Sequence, residues 1–194
     1  MKKILLITLL LIFSTTLLFP QSKVNVNNLV QYGDKWFKEN DDKPYTGIVF
    51  EMSKETGNRI LESKYVIGLL HGKHVEWYND GNKKLEGQYK NGLMNGKWIW
   101  WYENGNVKSE GSYENGNGEI IVRELGIPLN GTVGKWTFWY ENGQKKVEVN
   151  LKNGEPDGLG TNWYENGQKE QEVSYKDGKM ISEKKWKEDG SVKE

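Results

Sequence analysis

An all-β fold is predicted, an elongated antiparallel β-meander of repeated 24-residue units with two strands each. The first observation behind it is a Trp-Tyr-x-x-Gly block that recurs at Trp77–Gly81, Trp101–Gly105, Trp139–Gly143 and Trp163–Gly167, mostly at a 24-residue spacing, with degraded copies at Ser53–Gly57 and Trp186–Gly190. A fixed period of that size marks a repeat array in which each unit buries its apolar side only against its neighbours. The second is a further turn signal in every unit, at Asn91-Gly92, Asn115-Gly116, Asn153-Gly154 and Asp177-Gly178. Asn-Gly and Asp-Gly between alternating segments are strong hairpin signals. The third is that the alternation between turns has period two, which argues against helix. Two turns per unit leave two strands of about seven residues, about eleven strands in all, and at roughly 4.8 Å per strand a sheet on the order of 50 Å wide.

Residues 1–22 read as a signal peptide. Lys2 and Lys3 precede an apolar run from Ile4 to Leu18 that is softened by Thr8, Ser14, Thr15 and Thr16. The run is short of the roughly 20 apolar residues of a spanning helix, so export to periplasm, cell surface or medium is expected, with an uncleaved N-terminal anchor as the alternative. Residues 23–43 form an N-terminal cap segment, in which Trp36 and Phe37 fold over the first hairpin. Residues 44–194 are the array. It is interrupted by an insertion at 117–133, where the distance from Gly96 to Gly134 grows to 38 residues.

Composition narrows the function classes. Lys plus Arg equals Asp plus Glu at 27 each, and Cys is absent. There is no net field for nucleic acid, and with only Arg59 and Arg123 as arginines the phosphate forks of nucleic-acid readers are missing. No disulfide staple or lipid-anchored Cys is available. The 23 glycines and 36% apolar content suit a thin strand array better than a compact ball.

Faces follow from turn register, since a one-residue slip exchanges the two sides of a strand. A three-residue loop with a Gly bulge predicts a core face of Val75, Trp77, Leu85 and Tyr89 in one unit, and of Ile99, Trp101, Val107 and Tyr113 in the next. Thr137, Trp139, Val147, Val149 and Leu151 continue it, followed by Leu159, Thr161, Trp163, Val173 and Tyr175. The opposite side then carries cross-strand charges such as Lys84 and Glu86, and also an aromatic cluster of Trp98, Trp100, Tyr102, Trp136, Phe138 and Tyr140. Those six are the candidate ligand-binding residues, because a large apolar patch with a polar rim marks a binding surface. The alternative is that the insertion, with Glu119 to Leu125 and Ile127-Pro128-Leu129, lies across them or adds a strand.

Catalytic and metal constellations are not evident. His71 and His74 are the only histidines and read as turn and exposed-strand residues rather than ligands. Glu103, Glu141 and Glu165 recur in every turn and read as turn residues, not as an acid–base pair. No catalytic residue, metal ligand or cofactor is assigned. At the sheet ends, Glu183, Lys184, Lys185, Lys187, Glu188 and Asp189 around Trp186 guard the last strand against edge pairing.

Lys43-Pro44-Tyr45-Thr46-Gly47, Tyr89-Lys90-Asn91-Gly92-Leu93-Met94-Asn95-Gly96-Lys97-Trp98 and the Trp-Tyr-Glu-Asn-Gly-Gln-Lys copies at 139 and 163 carry a resemblance. They resemble MORN repeats, in particular the bacterial MORN-variant repeats of the YwqK-type antitoxin family, over about three quarters of the chain. The resemblance implies a β scaffold and interaction with membranes, lipids or other proteins. An export signal does not suit neutralisation of a cytoplasmic toxin, which leaves an immunity-like role outside the cytoplasm. The expected function is an exported, non-enzymatic protein-binding or scaffolding module. Its alternatives are a cell-envelope glycan or membrane-surface binder using the aromatic patch, and an immunity or antitoxin-like protein.

Overall fold

The structure, a computed structural model, describes residues 22–119, 121–122 and 126–193; the signal-peptide reading of the first 21 residues lies outside them. The strands are β1 (Lys23–Asn25), β2 (Leu29–Tyr32), β3 (Lys35–Lys38), β4 (Gly47–Met52), β5 (Arg59–Val66), β6 (Leu69–Trp77), β7 (Lys83–Lys90) and β8 (Leu93–Trp101). They continue as β9 (Val107–Gly116), β10 (Ile121–Val122), β11 (Ile127–Pro128), β12 (Thr132–Trp139), β13 (Lys145–Lys152), β14 (Glu155–Trp163), β15 (Lys169–Lys176) and β16 (Lys179–Lys185). Twelve of them form one sheet in the order β1-β4-β5-β6-β7-β8-β9-β12-β13-β14-β15-β16. From β4 onward this is the antiparallel meander the period predicts. β1 instead joins its edge in parallel, with Val24 beside Val49.

The short turns are as the dipeptides demand. Asn91 and Gly92 both take positive φ, at 52° and 84°, the left-handed pair of a type I′ hairpin whose twist matches that of its strands. Asn153 and Asp177 repeat it. The long turns explain the Tyr-x-Asn-Gly block. In Tyr140 to Gln144, Tyr140 N–H donates to Gln144 O at 2.9 Å, and Asn142 Oδ1 accepts from Gln144 N at 2.9 Å. The same residues bind the next unit: Tyr140 Oη donates to Trp163 O at 2.7 Å, and Asn142 Nδ2 donates to Glu165 O at 3.1 Å. Tyr78, Tyr102 and Tyr164 make the equivalent bond to Trp101, Trp139 and Trp186. The motif therefore clips each unit to its successor along one end of the sheet, and the insertion between Tyr102 and Trp139 does not interrupt the series.

The expected core face needs correction in half of its strands. Trp101 pairs with Val107 but Trp100 pairs with Ser109, so a bulge at Lys108 absorbs one residue. Val107 and Ser109 consequently lie on opposite faces although two residues apart. The second strands keep the predicted faces, with Leu85, Tyr89, Val147, Val149, Leu151, Val173 and Tyr175 inward, except that Val107, predicted inward, pairs with Trp101 across the bulge and faces outward. The first strands are reversed, so that Trp98 and Trp100 face inward while Ile99 and Trp101 face outward. Because the same bulge recurs between Glu76 and Trp77, Phe138 and Trp139, and Asn162 and Trp163, the reversal applies to every unit.

The inward face holds two buried clusters. Leu29, Tyr45, Val49 and Tyr65 are buried at the N-terminal end, with Trp36 packed against them from the β2–β3 hairpin. Met94, Trp98, Tyr113, Trp136, Phe138 and Leu151 form the central one, together with Ile127 of the insertion.

Candidate functional site

Trp98, Trp136 and Phe138 are 1%, 0% and 4% exposed, so half of the proposed aromatic platform is core. Their packing alternates large with small along one row of the sheet. A Cβ on Gly87 would lie 2.0 Å from the Trp98 indole and one on Gly111 would lie 2.1 Å from that of Trp136. Each indole thus lies flat over a neighbouring strand that only Gly allows. Trp98 and Trp136 stack at 5.7 and 6.0 Å on Trp100 and Phe138. Trp100, Tyr102 and Tyr140 are half-buried, and both tyrosine hydroxyls are engaged in the unit-to-unit bonds described above.

The insertion covers this cluster. β10 and β11 pair as a separate two-stranded sheet instead of extending the main one. Ile127 is 0% exposed within the aromatic core, and Tyr113 Oη donates to Pro128 O at 2.6 Å. Burial pushes the Tyr113 phenol far up and that of Tyr89 to about 12. The predicted Ile120 and Arg123 to Leu125 of the cover lie outside the described residues.

Beyond the cover the same face is open. Where the row carries Trp98 and Trp136 in earlier units, β14 carries Gly160, and the positions of Trp100 and Phe138 are taken by Asn162. The result is an apolar recess of about 160 Å³ bordered by Leu129, Val149, Pro156, Gly160, Val173 and Tyr175. Cavities of about 150 Å³ with apolar walls accept a benzene-sized group. The turn and strand motifs alone did not reveal this recess. Its signal is the replacement of Trp by Gly at one register position of an otherwise regular array.

A second arrangement was missed because His74 was read as exposed; it is 7% exposed and faces inward. Ser63 Oγ lies 2.6 Å from His74 Nδ1, and His74 Nε2 lies 3.4 Å from Glu76 Oε1. Ser, His and Glu in line resemble a hydrolytic set, but Ser63 is 1% exposed and the imidazole is packed edge-on against Tyr89 at 5.3 Å. In this packing the Ser63–His74–Glu76 chain satisfies buried polar groups against one another. The hydrogen bond from His74, and then that from Lys84, hold the Glu76 carboxyl down at about 2. A depressed carboxyl contributes stability above its unfolded value, and that contribution is lost as pH falls. Stability is therefore expected to decline from about pH 4.5 toward about pH 2. Acid titration of urea midpoints should show that slope flattened in Glu76→Gln.

Among the described residues no group of three His, Cys, Asp or Glu side chains converges as a metal site. His71 instead pairs with Asn91 at 3.2 Å. No helix among them is long and apolar enough to cross a membrane.

No curated protein is significantly similar in sequence. Among solved structures, a chain of the Glycosylation Associate Protein (Gap123) complex from Streptococcus agalactiae is 14% identical, with a TM-score of 0.29 over 58% of this chain. This chain spans 18% of that chain's length. The family described as MORN repeat variant matches four times, at residues 70–91, 94–115, 132–153 and 156–177. Those four segments coincide with the hairpins β6–β7, β8–β9, β12–β13 and β14–β15, and the chain is a MORN-repeat variant protein.

Proposed function

We propose that this repeat protein is an exported, non-enzymatic module that binds another protein on the open C-terminal part of its inward face. The observation that carries the reading is the recess over Gly160. In the two preceding units the equivalent space holds an indole supplied by the array itself, whereas here it is bounded by apolar walls and left to an outside group. The occupant that fits is a large aromatic or aliphatic side chain of a partner, since burial of such a group is what centres a protein interface. Met180, 58% exposed beside Tyr175, extends the apolar surface toward β16. The charged-then-apolar run at residues 2–18 supports export, and MORN repeats in general serve protein or membrane interactions. The burial of the Ser63–His74 pair supports a role without catalysis. A glycan reading through Trp98, Trp100 and Trp136 loses its ground, because two of those three rings have no free face.

Gly160 has ordinary backbone angles, and a Cβ there would meet Tyr175 and Val149 at 3.5 and 3.6 Å. A tryptophan at 160 would face Val149 where Trp136 faces Gly111, so the double variant Val149→Gly with Gly160→Trp, which restores the Trp-over-Gly pair, is expected to fold and to fill the recess as Trp136 fills its own. Random peptides displayed on phage and selected on the wild type should converge on an aromatic or large aliphatic anchor and should not be retained by this double variant. Failure to converge, or equal retention on the variant, would refute the reading.

A further inference from the structure

The outward face repeats a three-part contact in which one lysine serves two partners. Lys83 Nζ lies 2.6 Å from Glu86 and 5.5 Å from the ring centre of Trp101 in the next unit. Lys145 Nζ lies 2.9 Å from Glu148 and 5.6 Å from Trp163. Lys169 Nζ lies 2.5 Å from Glu172 and 5.7 Å from Trp186. An ammonium held between a carboxylate and an indole face gains from both the ion pair and the ring quadrupole. Glu86 and Glu148 each also take a second lysine from the facing strand, Lys73 at 3.3 Å and Lys135 at 2.9 Å. Two lysines per glutamate hold both carboxyls below the ordinary range, through Lys83 and Lys145 first.

One unit lacks the central lysine. At the position of Lys83, Lys145 and Lys169 the second strand β9 has Val107, so among the described residues Glu110 keeps only its facing partner, Lys97, at 2.8 Å. No cation lies over Trp139 among the described residues, in contrast to Trp101, Trp163 and Trp186. The space left is an open groove of about 410 Å³ lined by Asn106, Val107, Glu110, Trp139 and Gly143.

We propose that this groove is a binding site for a lysine side chain of a partner protein, whose ammonium takes the place between Glu110 and Trp139 that the array fills itself in the other units. The internal copies define the ligand chemistry: a primary ammonium on a butyl stem, with the stem along the apolar side of Val107 and the charge at the carboxylate. The site lies on the face opposite the recess over Gly160 and does not depend on it.

The test uses the full folded chain and follows the indole N–H of Trp139 by two-dimensional NMR during titration with an acetylated, amidated Gly-Lys-Gly peptide. A saturable shift in the millimolar range is expected. The same peptide with norleucine, which keeps the stem and lacks the charge, should give none. Val107→Lys restores the intramolecular lysine at a half-buried surface position and should reduce the response at least about tenfold. Glu110→Gln should weaken it by about threefold, the scale of a partly exposed ion pair. Equal binding of the norleucine peptide, or an undiminished response in Val107→Lys, would overturn the site. Methylammonium binding as tightly as the lysine peptide would overturn the assignment to a side chain. Because the Val149→Gly, Gly160→Trp double variant leaves this groove untouched, its response should match the wild type, which keeps the two proposals separately testable.

Discussion

Trp136→Ala is expected to destabilise the protein by about 3–5 kcal/mol, the cost of removing a fully buried indole and leaving a cavity that close neighbours refill only in part. The ring lies over Gly111, so Gly111→Val should be comparably damaging for the opposite reason, since a Cβ there would stand 2.1 Å from the ring and overpacking forces the strands apart. The informative variant combines a Val at 111 with a Gly at 136. That pair reproduces the large and small order that the array itself uses at Val149 and Gly160. It should recover a substantial part of the loss, giving a coupling well beyond the few tenths of a kcal/mol of independent sites. Urea denaturation of the four proteins measures it. Additive losses would mean that the Trp-over-Gly packing is not the unit of stability.

Ile127→Ala should cost about 2–4 kcal/mol, within the range for a buried aliphatic side chain, although the residue lies in an insertion that interrupts the period. Its effect should also be visible in fluorescence. With the cover loosened, Trp98 and Trp136 become accessible, and iodide quenching should rise relative to the wild type. A variant as stable as the wild type, with unchanged quenching, would show that β10–β11 is an appendage rather than part of the core. By the same argument Trp101→Ala, on the half-buried outward side, should be milder than Trp136→Ala.

The turn motifs and the period were sufficient for the elements. Asn-Gly and Tyr-x-Asn-Gly act through backbone conformation and bonds within five residues, which are local properties, so hairpins, unit length and the site of the insertion could be read directly. The inward residues of the second strands were legible for the same reason, because Glu86, Glu110, Glu148 and Glu172 alternate with apolar or small residues. The first strands were not. Whether Trp98 or Ile99 faces inward depends on one bulge at Lys108, and a bulge is a property of how two strands meet. Trp98, Trp100, Trp136 and Phe138, four of the six aromatic candidates, were accordingly placed on the wrong side.

The candidate sites show the same division more sharply. Nothing local to Gly160 distinguishes it from a turn glycine; its meaning comes from occupying the register position of Trp98 and Trp136. Val107 is likewise an ordinary strand residue until Glu110 and Trp139, from a different unit, are seen on either side of it. Local backbone chemistry, repeated at a fixed period, determined that this chain is an array of hairpins. Side-chain parity between strands, the cover supplied by Ile127 and the two unfilled positions were decided only by tertiary structure, because each is set by packing between residues the sequence separates.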